Sequence, residues 1–437
     1  MQLRKGAALG KRRWLRVGML VMLTLSAVLV LSNPIPVIAE SVTGMLPLTV
    51  TASTIAADGD RNPHGVAFVP ARFPPGGVLN PGDLLVSDFD NRDGKPGLGV
   101  SIVRITQAGQ QSTFFQGTGV GLTGLWVLRS GFVLAASLPT LDGTTATVQR
   151  GSLLIIDKSG ALVSCVAEPK FLSGPWELTV FDEGQTALVF VSNVLTGTVT
   201  RLVLTVNETA TGQTVTASEL TQIASGYAHR LDPTVLVVGP SGLAYDPRQD
   251  TLFVASPGDN AIFRVANAGS TQADAGTGAV LFNDQVHLHG PLGIVIGLNG
   301  HLFAANSNGK LRDPRNVSDF VELTVRGRFV AQQAVDPGLG GAFSIDFSRN
   351  DWSGSMGAKR LAWIDGSGSR ATLFNLCQPE YGTPTADLFS PQALERVSDE
   401  AVRVADLEGR GSAAPVLASL HFPRNVGTGW PCRSMPM

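Results

Sequence analysis

Between about residue 60 and residue 378 the chain alternates short apolar runs with punctuation rich in Gly, Pro, Asp and Asn. The clearest runs are Leu84–Asp88, Val133–Ser137, Val189–Asn193, Leu252–Ser256, Leu302–Asn306 and Leu361–Asp365. Each has about five residues, too few for a helix, and each closes on Asp, Asn or Ser. A closing residue of that kind caps a turn by accepting hydrogen bonds from nearby backbone N–H groups. Each run is therefore expected to be a strand buried on both faces, with Asp88, Asn193, Asn306 and Asp365 as turn caps at equivalent positions.

Ahead of each run lies a Gly- or Pro-bearing opening into another short strand. The openings are Pro63–Ala67, Leu122–Trp126, Gly174–Leu178, Gly239–Ala244, Gly290–Ile294 and the weaker Gly341–Ile345. They recur at roughly 50–65 residues, and third strands such as Ser101–Ile105, Thr198–Leu204 and Ala261–Val265 follow the second. Sheets of about four short strands cannot each bury both faces alone, but radial packing around an axis buries them all. The expected fold is all-β, a six-bladed β-propeller. Its last blade, about 341–377, is one strand short, and the strand-like Leu46–Ile55 is expected to complete it and close the ring.

The segment Gly239–Val265, with its Gly-Pro-Ser-Gly-Leu-Ala opening and Leu-Phe-Val-Ala run, resembles an NHL repeat. Residues 60–378 as a whole resemble an exported bacterial NHL-type propeller of the superfamily that includes gluconolactonases and amidating lyases. That resemblance implies the fold strongly and the chemistry hardly at all, because propellers host hydrolases, lyases, dehydrogenases and pure binding platforms.

The N-terminus changes the picture of location. Six basic residues precede residue 17, Val17–Leu31 is an apolar run, and Val37-Ile38-Ala39 offers a cleavage site. This is the three-part layout of a secretory signal peptide, with cleavage expected after Ala39 and no membrane span remaining. The expected domains are a signal peptide over 1–39, the propeller over 40–378 and a tail over 379–437 that is partly disordered or packed on one face, with a short helix at Pro391–Leu407. A periplasmic or secreted monomer is expected. From Glu40 onward, 27 basic residues face 35 acidic ones, a poor electrostatic match for nucleic acid. Of the three cysteines, Cys377 and Cys432 are the expected disulfide partners, and Cys165 is expected to be a buried small hydrophobe.

In a propeller the first strand of each blade lines the central channel, so the residues just inside each opening ring its mouth. Here they are His64, Thr123, Trp176, Ser241, Leu292 and Phe343, with Glu177 one step further in. The resemblance implies carboxylate and Asn metal ligands at such positions in lactonases, and three histidines in amidating lyases. Only His64 matches the latter, and Trp176 and Leu292 stand where ligands would be needed. A looser metal set draws on His64, His229 and His289, with His287 close by and Glu177 or Asp232 as further ligand or general base; a divalent Ca or Zn ion is the implied cofactor. The stretch Asp88–Gly94 has calcium-like acid spacing but lacks a distal Glu, and is expected to be a solvated turn. No Gly-x-Ser-x-Gly elbow occurs. Two functions follow: a non-catalytic platform for a protein, glycan or small-molecule ligand, or a metal-dependent hydrolase or lyase at the channel mouth.

Overall fold

The computed structural model describes residues 49–376, apart from 210–211, 298–299, 307–317, 337–340, 348–358 and 366–367. The expected signal peptide, the tail with its helix, and both members of the Cys377–Cys432 pair lie outside the described residues.

Six four-stranded antiparallel sheets follow one another along the chain. Blade one comprises Arg61–Phe68, Leu84–Asp90, Ser101–Ile105 and Gln111–Gln116. Blade two runs from Leu122–Val127 to Leu162–Val166, blade three from Pro175–Asp182 to Gly212–Ala224 and blade four from Leu243–Asp246 to Ala279–Phe282. Blade five spans Pro291–Ile296 to Phe329–Asp336. Blade six takes three strands from Ala342–Phe347, Lys359–Asp365 and Arg370–Leu376, and its fourth, Thr49–Ser53, from the other end of the chain. The first strands pack one blade against the next, and blade six against blade one, so the ring is closed.

The alternation of side chains along each strand explains why a ring forms. Leu85 and Ile102 of blade one join Leu122, Val133 and Leu154 of blade two in one apolar cluster. Leu84, Val86 and Val103, on the opposite face of the same blade, join Ala362, Ile364 and Leu373 of blade six. Equivalent clusters fill the remaining interfaces between neighbouring blades. Every blade thus has two apolar faces, each satisfied only by a neighbour.

The openings share a further device. Opposite Asp88–Val86 the inner strand of blade one spends an extra residue between Pro63 and Val66, a β-bulge. The same irregularity recurs at Leu122/Leu125, Pro175/Leu178, Pro291/Ile294 and Ala342/Ser344. At the openings, bulged or not, the inner strands lie so close that Gly65, Gly124, Gly242 and Gly293 have no room for a side chain: a Cβ on Gly242 would lie 2.3 Å from the Leu292 carbonyl oxygen. The equivalent residues of the other two blades are Glu177 and Ser344.

One expectation needs correction. Cys165 is exposed, because it lies on the outermost strand of blade two beside the exposed Leu162 and Val163, not in an interface. In blade three the two outer strands, Thr198–Thr209 and Gly212–Ala224, pair as a long hairpin. No helix among the described residues is long and apolar enough to cross a membrane.

Candidate functional site

The channel mouth opens into a cavity of about 650 Å³. His64, Trp176, Ser241, Leu292 and Phe343 line it, as the repeat pattern placed them. One wall comes from an insertion between blades three and four, the small hairpin Arg230–Asp232 with Leu236–Val238, whose Pro233–Val238 segment faces the cavity. Phe89, Trp176, Val194, Leu236 and Val237 pack as an apolar cluster of their own at this level. Thr123 does not take part. It is fully buried, and its hydroxyl donates to the Pro175 carbonyl at 3.1 Å, tying blade two to blade three.

His64 sits inside an aromatic ring drawn from three blades. Its imidazole centroid lies 4.7 Å from Phe89, 5.0 Å from Trp176 and 4.8 Å from Phe343. Burial among these groups pushes its pKa down to about 3, so the imidazole is neutral at physiological pH. Asn62 and Asp90 join it on the blade-one side of the cavity. A hydrogen bond from Asn62 holds the Asp90 carboxylate, and burial, the larger effect, pushes it up to about 6. One Asp90 carboxylate oxygen is buried without a hydrogen-bond partner.

Further along the inner strands lies a second chamber of about 220 Å³. Its polar lining includes Glu177, Thr179, Ser344 and Asp346. Glu177 donates its backbone N–H to Ser192 Oγ at 3.0 Å, and its carboxyl accepts from the Leu178 N–H at 3.3 Å. Burial pushes Glu177 up to about 8, and the Asp346 carboxylate adds to the rise. Asp346 accepts the Phe68 backbone N–H at 3.1 Å.

The expected metal set does not gather. His229 holds its Nδ1 2.9 Å from the Tyr227 carbonyl, and Asp232 caps its own turn by accepting from the Thr234 N–H. His287 stacks on Phe329 with centroids 3.9 Å apart and binds Asp284 through Nδ1 at 2.6 Å. His289 donates its backbone N–H to Asn306. Among the described residues no three His, Cys, Asp or Glu side chains are placed to hold a metal ion. The insertion that carries His229 and Asp232 does reach the cavity, but with Pro233–Val238.

Of the expected turn caps, Asp365 behaves as one, accepting the Gly368 N–H at 2.9 Å. Asn193 and Asn306 do not cap the turns that follow them; they reach back to the segments leading into their own openings. Asp88 does neither: it is fully buried and both carboxylate oxygens lack a hydrogen-bond partner, so this part of Asp88–Gly94 is not a solvated turn. Sequence reasoning missed Asn62, Asp90 and Asp346. Asp90 was visible as one acid among several in Asp88–Gly94, but nothing in the spacing marks it as facing the mouth.

No family model and no curated protein matches the sequence. Solved structures do resemble the fold. A gluconolactonase from Xanthomonas campestris is 15% identical over 76% of this chain and 91% of its own, with a TM-score of 0.47. A calcium-binding protein, regucalcin, from Agrobacterium tumefaciens is 15% identical over 74% of this chain and 93% of its own, with a TM-score of 0.45. A luciferin-regenerating enzyme is 11% identical over 75% of this chain and 94% of its own, with a TM-score of 0.43. This chain is a six-bladed β-propeller by its own strand order.

Proposed function

We propose that the channel mouth is a small-molecule site and that the chain is a hydrolase acting there on a compact, largely apolar lactone or ester. One observation carries this reading: a cavity of about 650 Å³ with mostly apolar walls gathers three polar side chains, Asn62, His64 and Asp90, on one side. Few convergent polar groups in an apolar cleft are the usual composition of a small-molecule site. The Asp90 carboxylate can take a proton from an attacking water, with Asn62 holding its orientation. The neutral His64 imidazole can donate a hydrogen bond to a carbonyl oxygen as it gains charge. Phe89, Trp176 and Phe343 fix the imidazole and offer aromatic surface to the rest of the substrate.

The test is a panel of aliphatic and aryl lactones and esters presented to the full chain, with Asp90→Asn and His64→Gln as controls. Turnover is expected in the wild-type chain and should fall about 10²–10⁴-fold in Asp90→Asn, while circular dichroism stays unchanged. The second reading, a non-catalytic binding platform, is favoured by the apolar cluster of Trp176, Val194, Leu236 and Val237 against the hairpin. Saturable binding of panel compounds at the mouth without turnover would select it and end the hydrolase reading.

A further inference from the structure

The blades provide an internal control for Asp88. In blade three, Asn193 pairs with Pro175, accepts the Ser173 N–H at 3.0 Å and donates its amide to the Phe171 carbonyl at 3.1 Å. In blade five, Asn306 pairs with Pro291, accepts the His289 N–H at 3.1 Å and donates to the His287 carbonyl at 2.7 Å. The carboxamide therefore spans the approach to each opening, acceptor end to an N–H and donor end to a carbonyl four residues before the proline. Asp88 pairs with Pro63 in the same register. It has no donor end, and the same offset falls on Gly59, within the turn that carries Asp58 and Asp60.

What surrounds Asp88 makes the loss worse. It is fully buried, and both oxygens are without a hydrogen-bond partner. Asp60, Asp58 and Asp90 all act on it as neighbouring negative charges. Asp60 is itself buried, bonded by the Val100 N–H at 2.6 Å, and Asp58 takes the Ser101 hydroxyl at 2.7 Å. Arg61 acts on Asp90, and the Arg92 side chain passes beside Gly59, but neither hydrogen-bonds Asp88. A buried carboxylate facing acceptors and like charges is costly unless something positive lies between them.

We propose that Asp88 anchors a bound metal cation of the hard, oxygen-preferring class, represented by Ca²⁺, at the junction of blade one with the Asp58–Asp60 turn. The cation takes the place of the amide donor that Asn193 and Asn306 supply in their blades. One committed carboxylate, with turn oxygens and water completing the shell, suits a flexible calcium site; it does not suit zinc, which wants a tight set of N and S donors. Asp88 is not among the residues that line the mouth cavity, and the site does not depend on the hydrolase reading.

The test uses the full chain after treatment with chelator. A Ca²⁺ titration followed by thermal unfolding, with Mg²⁺ as a comparison, should raise the midpoint of the wild-type chain by about 4 °C at a hundredfold excess over Kd. Tb³⁺ luminescence on the same protein should saturate at one ion per chain and be displaced by Ca²⁺. Asp88→Asn should abolish both effects, and without metal it should melt above the metal-free wild type because the carboxamide restores the missing bond. No midpoint shift and no saturable Tb³⁺ binding in the wild type would overturn the site and leave Asp88 a protonated, hydrated acid. A Ca²⁺ shift of equal size in wild type and Asp88→Asn would overturn it too, by placing the ion elsewhere. Should Asp88→Asn fail to fold, Asp88→Ser takes its place in the same titrations and must lose both effects.

Discussion

Glu177 and His64 act on stability from opposite ends of the pH scale. The Glu177 carboxyl has a pKa of about 8 in the fold against an ordinary 4.5, so between those values the folded chain holds a proton that the unfolded chain has released. Stability from this group is full below about 4.5 and is lost as pH rises through 8. His64, at about 3 against 6.5, does the reverse: the unfolded chain binds a proton that the folded chain refuses, and stability is lost as pH falls from 6.5 towards 3. Glu177→Gln should leave the midpoint near that of the wild type at pH 5 and raise it by roughly 6 °C at pH 9, measured by calorimetry across that range. A difference that stays constant with pH would mean that Glu177 is ionised throughout. His64 was legible from the sequence as a member of the mouth ring, and Glu177 as the residue one step further in. Their environments were not, because the neighbours that desolvate them, Phe89, Trp176 and Phe343 for His64, come from separate blades. The three-histidine set failed for the same reason: shared membership of the connectors says nothing about whether side chains point at one spot.

At the level of the strand, the openings are where the chain has least freedom. A Cβ at Gly65 would lie 2.3 Å from the Thr123 carbonyl oxygen, and one at Gly242 would meet both Leu292 O at 2.3 Å and Ile294 N at 2.5 Å. All of these are backbone atoms of the neighbouring blade and cannot swing aside. Gly242→Ala should therefore destabilise by about 2–3 kcal/mol in denaturant unfolding, although Ala is favoured over Gly at most other positions. The openings were the strongest repeat signal in the sequence, and their role as close approaches explains why small residues hold them. The exception is Glu177, whose position in blade three is Gly or Ser in the other five. Its side chain points into the channel, and its carboxyl lies where a Cβ on Gly124 would come within 2.7 Å. The outer strands were less legible. Cys165 sits in an apolar run like those of the second strands, yet its strand is the outermost of blade two, with a neighbour on one edge alone.

For the whole molecule, the closing pairs join Thr49–Ser53 to Phe374–Arg370, and Ala52 is buried in the interface between blades six and one. Removing residues 49–53 should lower the unfolding midpoint by about 5–10 °C and leave an open strand edge in blade six. An unchanged midpoint would show that the interblade clusters hold the ring without that strand. The architecture was legible because a repeat announces itself many times over. The insertion that walls the mouth was not, since Arg230–Val238 belongs to no repeat and was marked for its His and Asp, not for the apolar Leu236 and Val237 that seat it. The closure also sets a clock for synthesis. Ser53 is made early and must wait for Arg370, so at 5–20 residues per second the first strand stays without its partner for about 15–65 s. For that interval the nascent chain carries the unmatched face of blade one, with Val66, Leu84 and Val86, exposed to whatever is nearby. Yield from a cell should then depend on holdase chaperones far more than the final stability of the ring suggests, and slowing translation should aggravate loss of the chain.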